Sequence, residues 1–144
     1  MKKILVPVDF NPLAAAALEH AARLAGQSGA AIIVVYADTF EPPVEFTSLQ
    51  TAPLAMSIDE SRRTTARELE RFAHEHVPET IALQTDVREA LPVDGILAAI
   101  EEHQPDLVVM GTHGRGRLSR LMFGSVAQAV LRATNVPVVT IDSP

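Results

Sequence analysis

The residues best suited to chemistry lie in one glycine-containing stretch that follows an apolar run, Leu107 to Met110. The stretch reads Gly111-x2-Gly114-x9-Gly124-Ser125, and its end opens a periodic segment that predicts a helix. Glycines let backbone N–H groups approach a bound group closely, because no Cβ stands in the way. A helix start adds unpaired N–H donors and the positive end of its dipole, which suit a phosphate. The stretch therefore predicts a nucleotide-phosphate site, with Ser125 as helix cap or as a hydroxyl donor to the anion.

This pattern differs from the common phosphate fingerprints. The only lysines are Lys2 and Lys3, so a P-loop lysine is absent, and no G-x-G-x-x-G follows the first strand. The short motif Gly-Thr-His-Gly alone also fits a simple turn or the GxxG loop of RNA-binding KH domains. A formal net charge of -6 and a pI of about 5.3 argue against a nucleic-acid partner.

Composition favours a globular protein with one domain over residues 1–144. Hydrophobic residues make up 47% of the 144 residues and charged residues 21%, which allows a substantial core. The chain contains no cysteine, which excludes disulfides, thiolate metal sites and cysteine nucleophiles. The first apolar run ends at Asp9, too early for a signal peptide or a membrane span. A cytoplasmic protein without a membrane partner is expected.

Strand and helix signals alternate along the chain. Strands are predicted over Lys3–Val8, Ala31–Ala37, Thr80–Val87 (an edge strand), Leu107–Met110 and Val138–Ile141. Helices are predicted from the Asn11 cap to near Gly26 or Gly29, over Ser57–His76, from Pro92 to His103, and over Ser125–Thr134 with Val126, Val130 and Leu131 facing inward. Residues 38–56 are predicted as a long loop, and Ser57 with Glu60 as a capping box. This alternation predicts an α/β fold with an open, doubly wound parallel five-stranded sheet and helices on both faces.

The glycine pattern, together with the chain from Ile4-Leu5-Val6-Pro7-Val8-Asp9 to Pro137-Val138-Val139, resembles the universal stress protein family in its ATP-binding branch. The resemblance implies a Rossmann-like, adenine nucleotide alpha hydrolase-like fold with strand order 3-2-1-4-5, which periodicity does not fix. Ligands of such sheets bind beyond the carboxyl ends of the strands where the order reverses. The implied function is a stress-response regulatory module that binds ATP. Hydrolysis would be slow at most, since no catalytic triad or P-loop lysine is visible.

The resemblance also assigns residues to the nucleotide. The implied site consists of Pro7, Val8, Asp9, Tyr36, Ala37, Met110, Gly111, His113, Gly114, Arg115, Gly124, Ser125 and Val126. Pro7 and Val8 would line the adenine pocket, and the backbone of Tyr36-Ala37 would recognise the adenine edge. The residues from Met110 onward would hold ribose and phosphates.

Three of these residues have a second interpretation. Asp9 suits a ribose hydroxyl or a Mg²⁺ ion bound with the nucleotide, but also an Asx-type cap on the first helix. His113 and Arg115 would reach phosphate oxygens, or would be solvated loop side chains.

The chain departs from the family at Phe10-Asn11-Pro12, where many relatives have a small hydroxyl residue. The other histidines (His20, His74, His76 and His103) show no defensible metal-ligand spacing.

Two other functions compete with nucleotide sensing. A phospho-accepting receiver domain would need an acidic pair after the first strand and a lysine after the fifth, and the sequence has neither. A dimeric interaction protein of the same fold, without nucleotide, is the remaining alternative. The last strand, Val138–Ile141, is apolar and uncharged, so as an edge it predicts a homodimer through pairing with its two-fold mate.

Overall fold

The described part of the chain, in a computed structural model, comprises residues 1–40, 51–113 and 124–143. Five strands and four helices lie within these residues. In chain order they are β1 Lys3–Pro7, α1 Pro12–Ser28, β2 Ala31–Asp38, α2 Thr51–His76, β3 Leu83–Glu89, α3 Pro92–His103, β4 Leu107–Gly111, α4 Ser125–Ala133 and β5 Val138–Ile141. None of these helices is long and apolar enough to cross a bilayer.

The five strands form one parallel sheet in the order β3-β2-β1-β4-β5. The predicted fold class and strand order are therefore confirmed. The central strand is β1, whose Ile4 pairs with Ile32 of β2 on one side and with Leu107 of β4 on the other. Because the order reverses between β1 and β4, a crevice is expected beyond their carboxyl ends.

Helices cover both faces of the sheet, which explains the continuous apolar runs of the inner strands. Ile4 and Val6 of β1 pack into a core with α1 and α2, whereas Leu5 packs on the other face with α3 and α4. Side chains alternate between faces along a strand. A strand buried on both faces therefore needs an apolar residue at each position.

The ends of α1 agree with the prediction. Asn11 is the N-cap and its side chain accepts a hydrogen bond from the Ala14 N–H at 2.9 Å, with Pro12 as the first helical residue. Gly29 ends the helix at φ 76°, and its N–H donates to the Ala25 carbonyl at 2.8 Å. A left-handed residue at this position favours glycine.

Asp106 joins the beginnings of β1 and β4. Its Oδ2 accepts hydrogen bonds from the backbone N–H groups of Lys2 at 2.7 Å and Lys3 at 2.9 Å. These two backbone hydrogen bonds, the Lys2 bond first, lower the pKa of the Asp106 carboxyl below its ordinary value of 3.8. The charged form is therefore the one that holds the two strands together.

Two elements, α2 and β3, begin at residues other than those predicted. Helix α2 begins at Thr51, so the predicted loop is wrong over residues 51–56 and the predicted helix start at Ser57 is wrong. The segment from Ala52 to Met56 contains good helix formers, and Pro53 is tolerated in a first turn. The residues 41–50 of that loop lie outside the described part.

Strand β3 begins at Leu83 rather than Thr80, because the Ile81 N–H closes a turn on the Pro78 carbonyl. Its predicted edge position is confirmed.

Helix α4 buries Ala127 and Val130, while Val126 is partly buried against the same core. Leu131 is 39% exposed, so its predicted inward position is wrong. It lies about a quarter turn from the middle of the buried stripe.

Candidate functional site

A cavity of about 470 Å³ lies at the carboxyl ends of β1, β2 and β4. The N-terminal turns of α3 and α4 complete its wall. Its volume is within the range of small-molecule sites, about 300–1,000 Å³. Its position at the reversal of strand order is where open α/β sheets bind ligands.

All predicted site residues in the described part line this one cavity. They are Pro7, Val8, Asp9, Tyr36, Ala37, Met110, Gly111, His113, Gly124, Ser125 and Val126. Gly114 and Arg115 lie outside the described residues. The structure thus brings together residues from five separate elements and loops, and their roles toward a ligand stay predictions.

The predicted set of site residues omits about half of the residues that line the cavity. The further lining residues are Asn11, Ala14, Val35, Asp38, Thr39, Leu91, Pro92, Ile96, Thr112 and Ala127. A usable signal was present for the start of α3, since Pro92 follows a strand whose carboxyl end lies at the same edge. The N-terminus of every helix that follows such a strand points toward this edge.

Asp9 and Asn11 form a local network at the end of β1. The Asp9 Oδ1 accepts the Asn11 N–H at 3.3 Å, and Oδ2 accepts the Asn11 Nδ2–H at 2.9 Å. Asn11 Nδ2 also donates to the His113 carbonyl at 3.3 Å. Asn11, and not Asp9, caps α1. Asp9 therefore combines an Asx-type turn with a position on the cavity wall, and the network joins the end of β1 to the loop after β4.

Thr112 and His113 are the two buried polar residues of the described part. Each is 5% exposed, and Thr112 Oγ1 lies 2.5 Å from His113 Nδ1 in a hydrogen bond. The interpretation of His113 as a solvated loop side chain is therefore wrong. The Thr112 N–H donates to the Ile141 carbonyl, and its carbonyl accepts the Gly124 N–H at 2.6 Å. Thr112 thus ties the cavity wall to β5 and to the start of α4.

Helix α4 begins at the cavity without a side-chain cap. Gly124 is its N-cap, with φ -64° and ψ 154°, and as a glycine it supplies no side-chain hydrogen bond to the helix end. Ser125 is exposed and is the first helical residue, so its predicted role as the cap is wrong. The N–H groups of a first helical turn have no acceptor within the helix. The positive end of the α4 dipole therefore faces the cavity through Ser125, Val126 and Ala127.

Gly111 has a packing role in addition to its place on the cavity wall. A Cβ at Gly111 would lie 3.0 Å from the Cβ of Leu13 in the first turn of α1. The absence of a side chain therefore allows α1 to start close against the end of β4.

Charge is distributed unevenly around the cavity. Among its described lining residues are two carboxylates, Asp9 and Asp38, and no lysine or arginine. The Asp38 Oδ2 accepts the Tyr36 hydroxyl and its Oδ1 accepts the Phe40 N–H, each at 3.1 Å. The carboxylates lie on the side of β1 and β2, and the uncapped helix lies on the side of β4. This arrangement suits an anionic group beside α4 and hydroxyls or a divalent cation beside the carboxylates.

A second cluster of charged side chains lies away from the cavity. His103 Nε2–H donates to Asp86 Oδ2 at 2.7 Å, and Arg88 bonds to the same carboxylate at 2.8 Å and also to Glu102. Among the described residues, one group of side chains of the types that bind metals lies close together, namely Asp86, Glu102 and His103. The spacing of the histidines in the sequence did not predict this group. Arg88 already supplies positive charge to both carboxylates. The cluster therefore acts as an ion-pair network that fixes the end of α3 to edge strand β3.

Comparison with known proteins gives a consistent family. A model described as the universal stress protein family matches residues 1–142. A universal stress protein of Methanocaldococcus jannaschii is 27% identical over 144 residues, which cover 99% of this chain and 83% of that protein. A universal stress protein of Mycobacterium tuberculosis is 28% identical, and the chain spans 44% of its length.

Solved structures agree with the fold. The universal stress protein UspA of Lactobacillus plantarum superimposes with a TM-score of 0.70 at 23% identity, covering 97% of each chain. A universal stress protein of Archaeoglobus fulgidus, solved in complex with dAMP, gives a TM-score of 0.57 at 23% identity and covers 98% of each chain.

Proposed function

The chain belongs to the universal stress protein family, and on that basis we propose that it binds ATP, or another adenine nucleotide, in the cavity between β1 and β4. The nucleotide would make the protein a regulatory module of a stress response. Hydrolysis would be slow at most. The dAMP complex of the Archaeoglobus fulgidus relative supports an adenine nucleotide as the ligand class.

The observation that carries this proposal is the uncapped N-terminus of α4 in the cavity wall, opposite two carboxylates. The N–H groups of Ser125 and Val126 would bind phosphate oxygens, as free helix N-termini do. Gly114 and Arg115 would complete the phosphate loop. On the opposite side, Asp9 would bind a ribose hydroxyl or a Mg²⁺ ion that accompanies the nucleotide.

The base would occupy the apolar end of the cavity. Pro7 and Val8 follow the centre of the sheet, and the strand end at Tyr36 and Ala37 offers backbone groups at the carboxyl edge of β2. Ile96 of α3 adds an apolar side chain to the cavity wall. An apolar slot with a few backbone donors and acceptors is the usual environment of a planar base.

We assign no catalytic residue. His113 is the one histidine on the described cavity wall, but it is 5% exposed and its Nδ1 is hydrogen-bonded to Thr112. A general base must reach the proton that it removes, and a buried, oriented imidazole is better suited to holding the loop. The described wall therefore favours binding over turnover.

The test begins with the purified protein. Denaturation followed by chromatography identifies any bound nucleotide, and calorimetric titration of the emptied protein with ATP, AMP and GTP, with and without Mg²⁺, measures affinity. Binding of adenine nucleotides with a low-micromolar dissociation constant supports the proposal. Absence of binding to every nucleotide refutes it and favours the dimeric interaction protein.

Two variants at Gly124 locate the phosphate. Gly124→Asp supplies a capping carboxylate, so it preserves or raises the stability of α4 by a few tenths of a kcal/mol and repels phosphate. Gly124→Asn supplies a cap of the same size without charge. We expect nucleotide affinity to fall most in the aspartate variant. Equal affinity of the aspartate variant and the wild type would remove the α4 N-terminus from the site.

We also propose a homodimer through β5, the edge strand next to β4. The Val108 N–H donates to the Pro137 carbonyl and the Thr112 N–H to the Ile141 carbonyl. Since backbone groups alternate in direction along a strand, the Thr140 N–H points to the outer edge. Thr140→Pro removes this donor and leaves the β4 pairing intact, so we expect a monomer, with Thr140→Val as a dimeric control. Light scattering that finds a wild-type monomer at micromolar concentration contradicts the dimer.

A further inference from the structure

We propose that Phe10 is a positioning residue of the nucleotide site: its ring, held by Tyr36 and Phe72, fixes a left-handed backbone that directs Asp9 and Asn11 into the cavity. The inference deepens the proposed function and rests on it. Phe10 itself does not line the cavity wall, so it would act through its neighbours.

The backbone of Phe10 is the first observation. Its φ is +66°, a conformation that glycine adopts freely and that bulky side chains avoid because their Cβ approaches the carbonyl oxygen. Such backbone strain persists where the surroundings enforce it and is found near ligand sites. Something other than local preference must therefore stabilise Phe10 in this conformation.

The contacts of the Phe10 ring supply that stabilisation. Its centroid lies 5.0 Å from that of Tyr36 on β2 and 5.4 Å from that of Phe72 on α2, the second pair with an interplanar angle of 79°. Tilted and edge-on pairs at these distances are favourable for aromatic rings. The ring also packs on the core between the sheet, α1 and α2. Two separate elements therefore hold the ring in place.

The side chains of this turn point in alternating directions. Asp9 and Asn11 line the cavity, whereas the residue between them points into the core. The turn brings the Asn11 N–H and Nδ2–H onto the Asp9 carboxylate, and it brings Asn11 within 3.3 Å of the His113 carbonyl. An extended Phe10 would break this geometry. The orientation of the carboxylate thus depends on the left-handed conformation, and the ring is the means of holding it.

The test compares Phe10→Gly with Phe10→Ala. Both variants lose the ring and its packing, so both melt at lower temperature than the wild type. Glycine still adopts φ near +66° without strain, whereas alanine pays the left-handed penalty. We expect Phe10→Gly to bind ATP with Mg²⁺ nearly as tightly as the wild type, and Phe10→Ala to bind about tenfold more weakly. Affinity is measured at a temperature where both proteins are fully folded.

A residue that only stabilises the fold would change the melting temperature and leave the dissociation constant of the folded protein unchanged. Equal affinity of the two variants, or weaker binding by the glycine variant, therefore overturns the inference. If neither variant folds, Phe72→Leu keeps an apolar contact and removes the edge-on ring. We expect that variant to bind ATP more weakly, and an unchanged dissociation constant would overturn the inference.

A second readout does not depend on the ligand. In the nucleotide-free protein, the amide NMR signals of Asp9, Asn11 and His113 should stay near their wild-type positions in Phe10→Gly and shift in Phe10→Ala. Should the wild type bind no adenine nucleotide, the proposed function fails and this comparison alone decides the role of Phe10. Signals that shift equally in both variants contradict it.

Discussion

Gly95 lies near the start of α3, where the helix crosses the end of β2. A Cβ at Gly95 would lie 2.5 Å from the Cβ of Ala37 and 3.5 Å from that of Ala90. Carbon atoms in favourable contact are about 3.5–4.0 Å apart. Gly95→Ala therefore forces α3 away from the sheet by about 1 Å, if the nearer pair is to reach the lower end of that range.

The magnitude follows from two opposing effects. Alanine in a helix interior is favoured over glycine by about 1 kcal/mol. Overpacking a close contact costs about 1–3 kcal/mol, and here the cost is at the upper end because a Cβ atom cannot rotate away from its neighbour. We expect Gly95→Ala to lower the free energy of unfolding by about 1–2 kcal/mol, which lowers the melting temperature by about 3–8 °C in a chain of this length.

The matched control is Gly26→Ala in α1. A Cβ at Gly26 meets no atom within 4 Å, so this variant gains helix propensity without a clash and is stabilised by up to about 1 kcal/mol. Urea titration and thermal melting measure both variants. Since Ala37 and Ile96 line the cavity, Gly95→Ala should also weaken ATP binding, and Gly26→Ala should not.

The reasoning is refuted if Gly95→Ala is as stable as the wild type or as stable as Gly26→Ala. Equality with the wild type would mean that the close contact costs only the roughly 1 kcal/mol that alanine gains in helix propensity, and equality with Gly26→Ala would mean that it costs nothing. Unchanged nucleotide affinity in a destabilised Gly95→Ala protein would refute only the link between α3 and the cavity.

Three further predictions concern the frame around the site. Asp106→Asn should lose the charged partner of two backbone N–H groups. Because the folded-state pKa of Asp106 is lowered, its stabilisation is present above about pH 4 and is lost as pH falls through the lowered value. The melting curves of wild type and variant should therefore converge in acid. Asp86→Asn should lower the free energy of unfolding by about 2 kcal/mol, because Arg88 and His103 both lose a charged acceptor; a stability equal to the wild type in urea would contradict the network. Gly29→Ala should cost about 1 kcal/mol, since φ there is 76°, and a melting temperature at or above the wild-type value would contradict it.

The sequence predicted well those elements whose signals are local. The Asn11-Pro12 start of α1 and the strand runs from Lys3 and Ala31 depend on capping geometry and on burial of both sheet faces. Their boundaries agree with the structure within about a residue or two. The strand order, by contrast, came from the family resemblance, because periodicity contains no information about which strands are neighbours.

One failure has a local cause, and the others depend on contacts that only the folded chain makes. Helix α2 begins six residues before Ser57. Good helix formers precede Ser57, so the capping pattern at Ser57 lies inside the helix and does not mark its start. The burial of His113 depends on its bond to Thr112 and on contacts that only the folded loop creates. The need for glycine at position 95 arises from Ala37, which is far away in the sequence.

Around the site, the motif, the strand ends and the family resemblance together located the wall formed by β1, β2 and β4. The sequence predicted that α3 begins at Pro92 but did not place Leu91 and Pro92 in the cavity wall, since no motif accompanies that turn. The sequence showed Phe10 only as part of a departure from the family pattern and did not predict its left-handed backbone. A backbone conformation of this kind depends on the rings packed around it, and those rings come from β2 and α2.

The central position of β1 has a consequence for synthesis on the ribosome. Of the five strands, β1 is made first and pairs with β2 soon afterwards. Its other neighbour, β4, is made much later, because Ile4 of β1 pairs with Leu107. At about 5–20 residues per second, translation leaves that side of β1 unpaired for roughly 5–20 seconds. During this interval the nascent chain exposes an apolar strand edge open to mispairing. It also lacks the β4 and α4 side of the cavity, so the proposed nucleotide could not bind and stabilise the fold until α4 has been made.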